Sequence, residues 1–361
     1  MNNMTSLMSR HVFFSLLLHC SLVWLASAAP HGDKHRRKML VGTAVSGNLL
    51  VSDQQYTATV IKYFSLVTAQ NEMKWDSLQA SPDPYGFTWG AADGVYDFVR
   101  KNDKLLRIHT LFGQGQYPQW VDSLQPDQLE DAMAKLIWNV IARYNERAIA
   151  IDVCNEIFND QDGHMRDNTP WVRNTNKHEG FVEFVYWHAR QASLTYNKNL
   201  LLYLNDYGIE GPGPKADAIL NKATYLKGRN LLDAVGFQCH FSVGKLPQGI
   251  EENMKRFTDA GLKIAITELD IAIENVDSNG ASQAVLEQQA KDFQHIFDIC
   301  ERLQGCVSVT VWGVTPKDSW IGKNDISMGS GKALLFDENY QPTLALKKLP
   351  QKLFENSRNS N

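Results

Sequence analysis

No grouping of cysteines and histidines in the sequence has the spacing of a zinc site, and cysteine itself is scarce, five in 361 residues. Neither a metal-built fold nor a scaffold stapled by many disulfides is therefore expected. The net charge is small, 36 Lys and Arg against 40 Asp and Glu. That gives no reason to expect nucleic acid or an anionic membrane as partner. Beyond the first thirty residues no apolar run is long enough to span a bilayer. No Gly-x-Gly-x-x-Gly follows the first predicted strand, so the dinucleotide-binding signature is missing. After residue 28 there is no Asn-x-Ser/Thr acceptor for N-glycosylation. A Ser/Thr-rich linker to a further binding module is also missing. What remains, 43% hydrophobic and 21% charged, is ordinary globular composition for one large domain or two small ones.

The apolar run from Val12 to Ala26 follows Arg10 and His11 and ends at Ala26-Ser27-Ala28. It reads as a secretory signal peptide over residues 1–28. Residues 29–39 are polar and basic and read as a flexible or processed leader. Export to an oxidising compartment fits a disulfide between Cys300 and Cys306, which flank a predicted helix-to-strand turn. Cys154 and Cys239 lie in apolar strand sequence and read as buried thiols.

From Leu40 onward, short apolar stretches alternate with helical patterns. The predicted strands cover 40–45, 64–69, 105–111, 149–154, 200–204, 235–240, 263–267 and 307–311. The helices between them cover 53–63, 91–101, 127–144, 179–196, 215–227, 248–260 and 281–303, with a last helix at 343–354. Leu129, Met133, Leu136, Ile137, Val140 and Ile141 repeat with the helical period. Continuous apolar strands suit a parallel sheet covered on both faces. Eight such units close a (β/α)₈ TIM barrel, a single catalytic domain over residues 40–355. A doubly wound sheet is the competing arrangement.

In such a barrel the chemistry sits at the C-terminal strand ends. Those ends carry Asn71 and Lys74, His109, Asn155 and Glu156, Asn205 and Asp206, Gln238 and His240, Glu268 and Asp270, and Trp312. Glu156 and Glu268 end the fourth and seventh strands, on facing sides of the mouth. Paired carboxylates of this kind suit glycoside cleavage, one giving a proton and the other attacking or activating water. A spacing of about 5–5.5 Å would mean retention of configuration and about 6.5–9.5 Å inversion. His240 is placed to hydrogen-bond Glu268, and Asp270 to orient that histidine. Asn155 suits a sugar hydroxyl beside the reacting centre. Trp312 and Trp320, with Trp75 and Trp120 on earlier loops, offer flat apolar faces on which sugar rings stack. Nothing in this set needs a metal or a cofactor. Because both glutamates and His240 are present, a non-catalytic carbohydrate-binding barrel is the weaker reading.

The sequence resembles glycoside hydrolase family 10, the barrel xylanases, over about Leu40 to Leu349. Asp152-Val153-Cys154-Asn155-Glu156 resembles its acid/base motif and Ile266-Thr267-Glu268-Leu269-Asp270 its nucleophile motif. Val311-Trp312-Gly313-Val314 with Ser319-Trp320 resembles its last sugar-binding loop. The resemblance implies a retaining enzyme with Glu156 as acid/base and Glu268 as nucleophile. It also implies a monomer, a carbohydrate substrate, and sugar contacts from Asn71, Lys74, His109, Gln116, Asn155, Gln238, Trp312 and Trp320.

The chain departs from the family pattern at one rim. Gln70 stands where a glutamate is usual, and Gly113 and Gln114 stand where the family has tryptophan and histidine. Ile151 replaces another tryptophan. These changes open the glycone side enough for a hexose, so Gln70, Gly113 and Gln114 are expected to set specificity. Among family members the pattern resembles the fungal tomatinases, which release an oligosaccharide from the steroidal glycoalkaloid α-tomatine. That is the expected activity, with an endo-1,4-β-xylanase as the alternative.

Overall fold

The computed structural model describes residues 39–83, 86–274, 280–322 and 332–355. The expected signal peptide and all but the last residue of the leader lie outside the described residues.

Among the described residues nine parallel strands carry the fold: β1 Leu40–Val45, β2 Leu66–Ala69, β3 Leu105–Ile108, β4 Ala148–Asn155, β5 Leu201–Asp206, β6 Ala234–Phe237, β7 His240–Ser242, β8 Lys263–Ala272 and β9 Cys306–Val311. Each of β1 to β5 pairs with the next, β6 pairs with β8, and β8 with β9. The register Gly42↔Thr310 between β1 and β9 closes the ring, so eight strands form the (β/α)₈ barrel. The short β7 stands outside that ring and pairs with the far half of β8, His240 opposite Asp270.

The helical periodicity is reproduced. Leu129, Met133, Leu136, Ile137, Val140 and Ile141 all lie buried on the helix Pro126–Tyr144. Asp53 caps the helix Gln54–Tyr63 by accepting from the backbone N–H groups of Gln55 and Tyr56. Among the described residues no helix is long and apolar enough to cross a membrane.

Several boundaries differ from expectation, and four of the differences have a local reason. The third strand stops at Ile108 rather than Leu111. Leu111 and Phe112 still donate to Asp152 and Val153 of β4, but outside the regular ladder. The sixth strand is split by Cys239, which sits at φ 65, a left-handed conformation that interrupts pleating. The seventh runs on to Ala272, so Glu268 and Asp270 lie within β8 and not beyond it. The last helix is cut to Leu344–Lys348, followed by a 3₁₀ turn at Gln351–Leu353. Pro350 has no N–H to donate and disfavours helical backbone at Leu349.

The upper barrel interior is polar. Arg107 on β3 pairs with Asp152 on β4 through two guanidinium donors, and its plane lies 4.2 Å over the Tyr203 ring. Both charged groups are fully buried, which is tolerable only because they are paired and hydrogen-bonded. Gly236 leaves room for this layer, since a Cβ there would collide with Asn205 Oδ1 and crowd Thr267. At the opposite end, a disulfide joins Cys300 to Cys306, with Cα atoms 5.2 Å apart, tying the helix Gln283–Arg302 to the start of β9. Cys154 and Cys239 are free and buried, as expected.

Candidate active site

A cleft of about 1340 Å³ opens at the C-terminal ends of the strands. Glu156 and Glu268 both line it, together with Gln70, Asn71, Lys74, His109, Gly113, Gln114, Gln116, Asn155, Gln238, His240, Trp312 and Trp320. Parallel strands leaving the barrel at one rim bring these residues together from separate places in the chain.

Glu268 is almost wholly buried. Its Oε1 accepts from Asn205 Nδ2 at 2.8 Å, and its Oε2 lies 3.3 Å from His240 Nε2. His240 Nδ1 is 2.8 Å from Asp270 Oδ1. Burial alone would drive the His240 proton off, but Asp270 and Glu268 outweigh it and hold the ring charged well above the ordinary histidine range. Burial likewise works to raise the Glu268 carboxyl. The opposing charges of His109 and His240, with hydrogen bonds from His240 and Asn205, bring it down to about 2. Glu268 is thus an ionised carboxylate in a dry place, which is the condition of a nucleophile.

Glu156 is held differently. It follows the end of β4 with φ 56. Its Oε1 accepts from Gln238 Nε2 at 2.9 Å and its Oε2 from Gln114 Nε2 at 2.5 Å. Its backbone N–H donates to Asn205 O, and its carbonyl accepts from Arg166 Nε, both at 3.0 Å. The two carboxyls therefore have unlike hydrogen-bond partners, His240 and Asn205 at Glu268 and two neutral amides at Glu156. Separate environments for two carboxyls are what acid and nucleophile roles require.

The remaining expected residues divide into groups. Asn71, Lys74 and Gln116 form one cluster, with Lys74 Nζ on Gln116 Oε1 and 3.2 Å from Asn71 Oδ1. Burial lowers the Lys74 ammonium, against the pull of Glu268 and Glu156. Asn155 accepts from Asn205 at 2.8 Å. His109 is fixed by Asp152 at 3.0 Å and packs edge-on against Trp312, ring centres 5.2 Å apart. Trp320 packs edge-on against His240, and its indole N–H donates to Asp270 Oδ2 at 2.8 Å. Gln70 spends its amide N–H on the Asp318 carbonyl at 3.0 Å, a bond an ionised glutamate could not make. A Cβ at Gly113 would make ordinary contacts without a clash, the nearest atom being Gly115 O at 3.5 Å. Gln114, expected on the glycone wall, reaches the Glu156 carboxyl.

Trp75 is not in the cleft. It is 1% exposed, stacked on Trp171 and bonded to Gln79, hence part of the core. Arg166 and Tyr207 support the site without any periodic or motif signal of their own that marks them for that role, and Asp152, though it opens the acid/base motif, shows its part only through its bonds to Arg107 and His109. Asn205 stands in the sequence as one strand end among several, yet it touches Asn155, Glu268 and Thr267. Among the described residues no three His, Cys, Asp or Glu come together to hold a metal ion.

The sequence model described as Glycosyl hydrolase family 10 matches residues 32–352. Endo-1,4-beta-xylanase A of Phanerodontia chrysosporium is 34% identical over 312 residues, covering 85% of this chain and 72% of that enzyme. An endo-1,4-beta-xylanase of Agaricus bisporus is 32% identical over 328 residues, covering 89% of this chain and 91% of its own. Among solved structures, a glycosylated endo-beta-1,4-xylanase from Gloeophyllum trabeum superposes with a TM-score of 0.78 at 36% identity, covering 88% of this chain and 96% of that one. Xylanase 10B from Thermotoga petrophila, solved with xylobiose, gives 0.80 at 28% identity, covering 88% and 94%.

Proposed function

Since this chain belongs to glycosyl hydrolase family 10, we propose that it is an endo-1,4-β-xylanase that cleaves internal bonds of xylan with retention of configuration. The reading departs from the tomatinase-like activity expected from the sequence, because the relatives are named as xylanases. The observation that carries the chemistry is the contrast between Glu268, held ionised among cations, and Glu156, held between two amides.

In the first step Glu268 Oε attacks the anomeric carbon as the bond to the leaving oxygen breaks. Glu156 passes its proton to that oxygen. In the second step Glu156, now a carboxylate, takes a proton from water. The oxygen of that water attacks the anomeric carbon, and the bond to Glu268 breaks. Asn155, Lys74 and Gln116 bind sugar hydroxyls, and Trp312 and Trp320 wall the ring faces. The disulfide and the apolar N-terminal run support secretion.

One observation favours a second reading. Gly113 lines the cleft without a side chain, which thins the glycone wall there and supports an oligosaccharide–steroid substrate such as α-tomatine. Product analysis on soluble xylan and α-tomatine in parallel separates the two. Xylo-oligosaccharides with intact tomatine are expected. Release of tomatidine and an intact tetrasaccharide, without xylan cleavage, would overturn the xylanase reading.

A further inference from the structure

We propose that Arg166 is the positioning residue of the acid/base Glu156, and that a buried Lys215 holds it in place through Asp160. The inference rests on the reading of Glu156 as proton donor.

A non-glycine residue in the left-handed region is uncommon and sustained by its surroundings. Glu156 is such a residue. Its backbone conformation decides where its carboxyl points, so whatever fixes the two flanking peptides aims the proton. One handle is the N–H to Asn205 O on β5. The other is the carbonyl, and Arg166 Nε is its donor.

Arg166 is itself gripped from the other side. Its Nη2 donates to Asp160 Oδ1 and to the Tyr207 hydroxyl, each at 3.2 Å, and that hydroxyl donates to Asp160 Oδ2 at 2.8 Å. Lys215 Nζ then bridges Asp160 Oδ1 and Asp206 Oδ1, both at 2.8 Å, and lies 3.8 Å from the centre of the Tyr207 ring. The Lys215 side chain is 4% exposed and that of Asp206 not at all. A buried ammonium is costly unless it is paired, and loss of Lys215 would strand the buried Asp206, while Asp160 is 52% exposed. Arg166 and Lys215 thus face Asp160 and Asp206 in one closed network. Burial works to raise Asp160, but Lys215, Tyr207 and Arg166 hold it below its ordinary range, as a firm acceptor.

Tyr207 also lines the cleft. The wall and the backbone of the acid/base therefore share one support. A stapled surface loop would give the same hydrogen bonds without any bearing on proton delivery, and the two cases differ in which substrates suffer.

The test uses two aryl glycosides carrying the sugar that wild-type enzyme hydrolyses, one with 2,4-dinitrophenol and one with phenol as leaving group. Dinitrophenolate departs without a proton; phenol needs one. Arg166→Met is expected to lower kcat/KM for the phenyl glycoside about a hundredfold, in the range of lost general acid catalysis, and for the dinitrophenyl glycoside less than about threefold. Lys215→Met should show the same selectivity with a smaller loss. Should these variants not fold, Tyr207→Phe removes only the hydroxyl and is expected to cost the phenyl substrate about fivefold, sparing the other. Equal losses on both substrates, or none on either, would overturn the proposal. Wild-type enzyme that splits neither would instead overturn the glycosidase reading beneath it.

Discussion

The charge pair at Glu268 should be visible in stability as well as in catalysis. Glu268 titrates at about 2 in the folded protein against 4.5 when unperturbed. A tenfold change in acidity corresponds to about 1.4 kcal/mol, so the ionised carboxylate contributes about 3 kcal/mol to folding. Because its folded value lies below its unfolded one, that contribution is present above about pH 4.5. It fades as pH falls through about 2. At pH 3 about 2 kcal/mol of it should be gone. Other carboxylates titrate in the same window, so the measurement is a difference. Glu268→Gln has no such group, and urea unfolding of both proteins at pH 5.5 and pH 3 cancels the shared background. His240 does not confuse the comparison. Its folded value is raised, so its own contribution is already complete below the unfolded histidine range and constant over this interval. The advantage of wild type over Glu268→Gln is therefore expected to shrink by about 2 kcal/mol between pH 5.5 and pH 3. An advantage that stays flat would refute the argument that His109, His240 and Asn205 hold this carboxyl ionised.

Further outcomes follow from the same geometry. Trp320→Phe keeps an aromatic wall but removes the donor to Asp270, a bond to a charged group worth about 1.5 kcal/mol or more, so kcat should fall about tenfold with KM little changed in steady-state assays. Trp320→Ala should raise KM as well. A Cβ at Gly113 would make only ordinary contacts, the nearest at 3.5 Å, and the backbone there is ordinary, so Gly113→Trp should fold and raise the xyloside-to-glucoside ratio of kcat/KM about tenfold, read with matched aryl glycosides. Replacing both Cys300 and Cys306 by alanine frees a short loop and should cost ~2 kcal/mol in urea melts while leaving kcat/KM unchanged, since the bridge lies at the end of the barrel away from the cleft.

The barrel and its two glutamates are legible in the sequence because they rest on repeating signals. Apolar strand, polar strand end and amphipathic helix recur along the chain, and Glu156 and Glu268 stand at matching points of that pattern. What escapes has no periodic mark. Arg166 lies in a polar loop whose path is set by tertiary contacts with Tyr207 and Asp160. Trp75 looks like a cleft aromatic because it follows a strand end, yet a short helix at Trp75–Leu78 turns it inward against Trp171. Gln114 and Gln70 stand out as departures from a pattern. The partners they use, Glu156 and the Asp318 carbonyl, appear only once distant loops are brought together.

The bond from Trp320 to Asp270 has a consequence for discrimination between sugars. A ring that seats badly and pushes the indole aside would also loosen Asp270, and through it His240 and Glu268. An ill-fitting sugar would then be penalised after it has bound, through slow turnover and not only through weak affinity. Such a cleft can hold the wrong oligosaccharide and still decline to cut it, so inhibition by non-substrate sugars becomes a natural property of the fold.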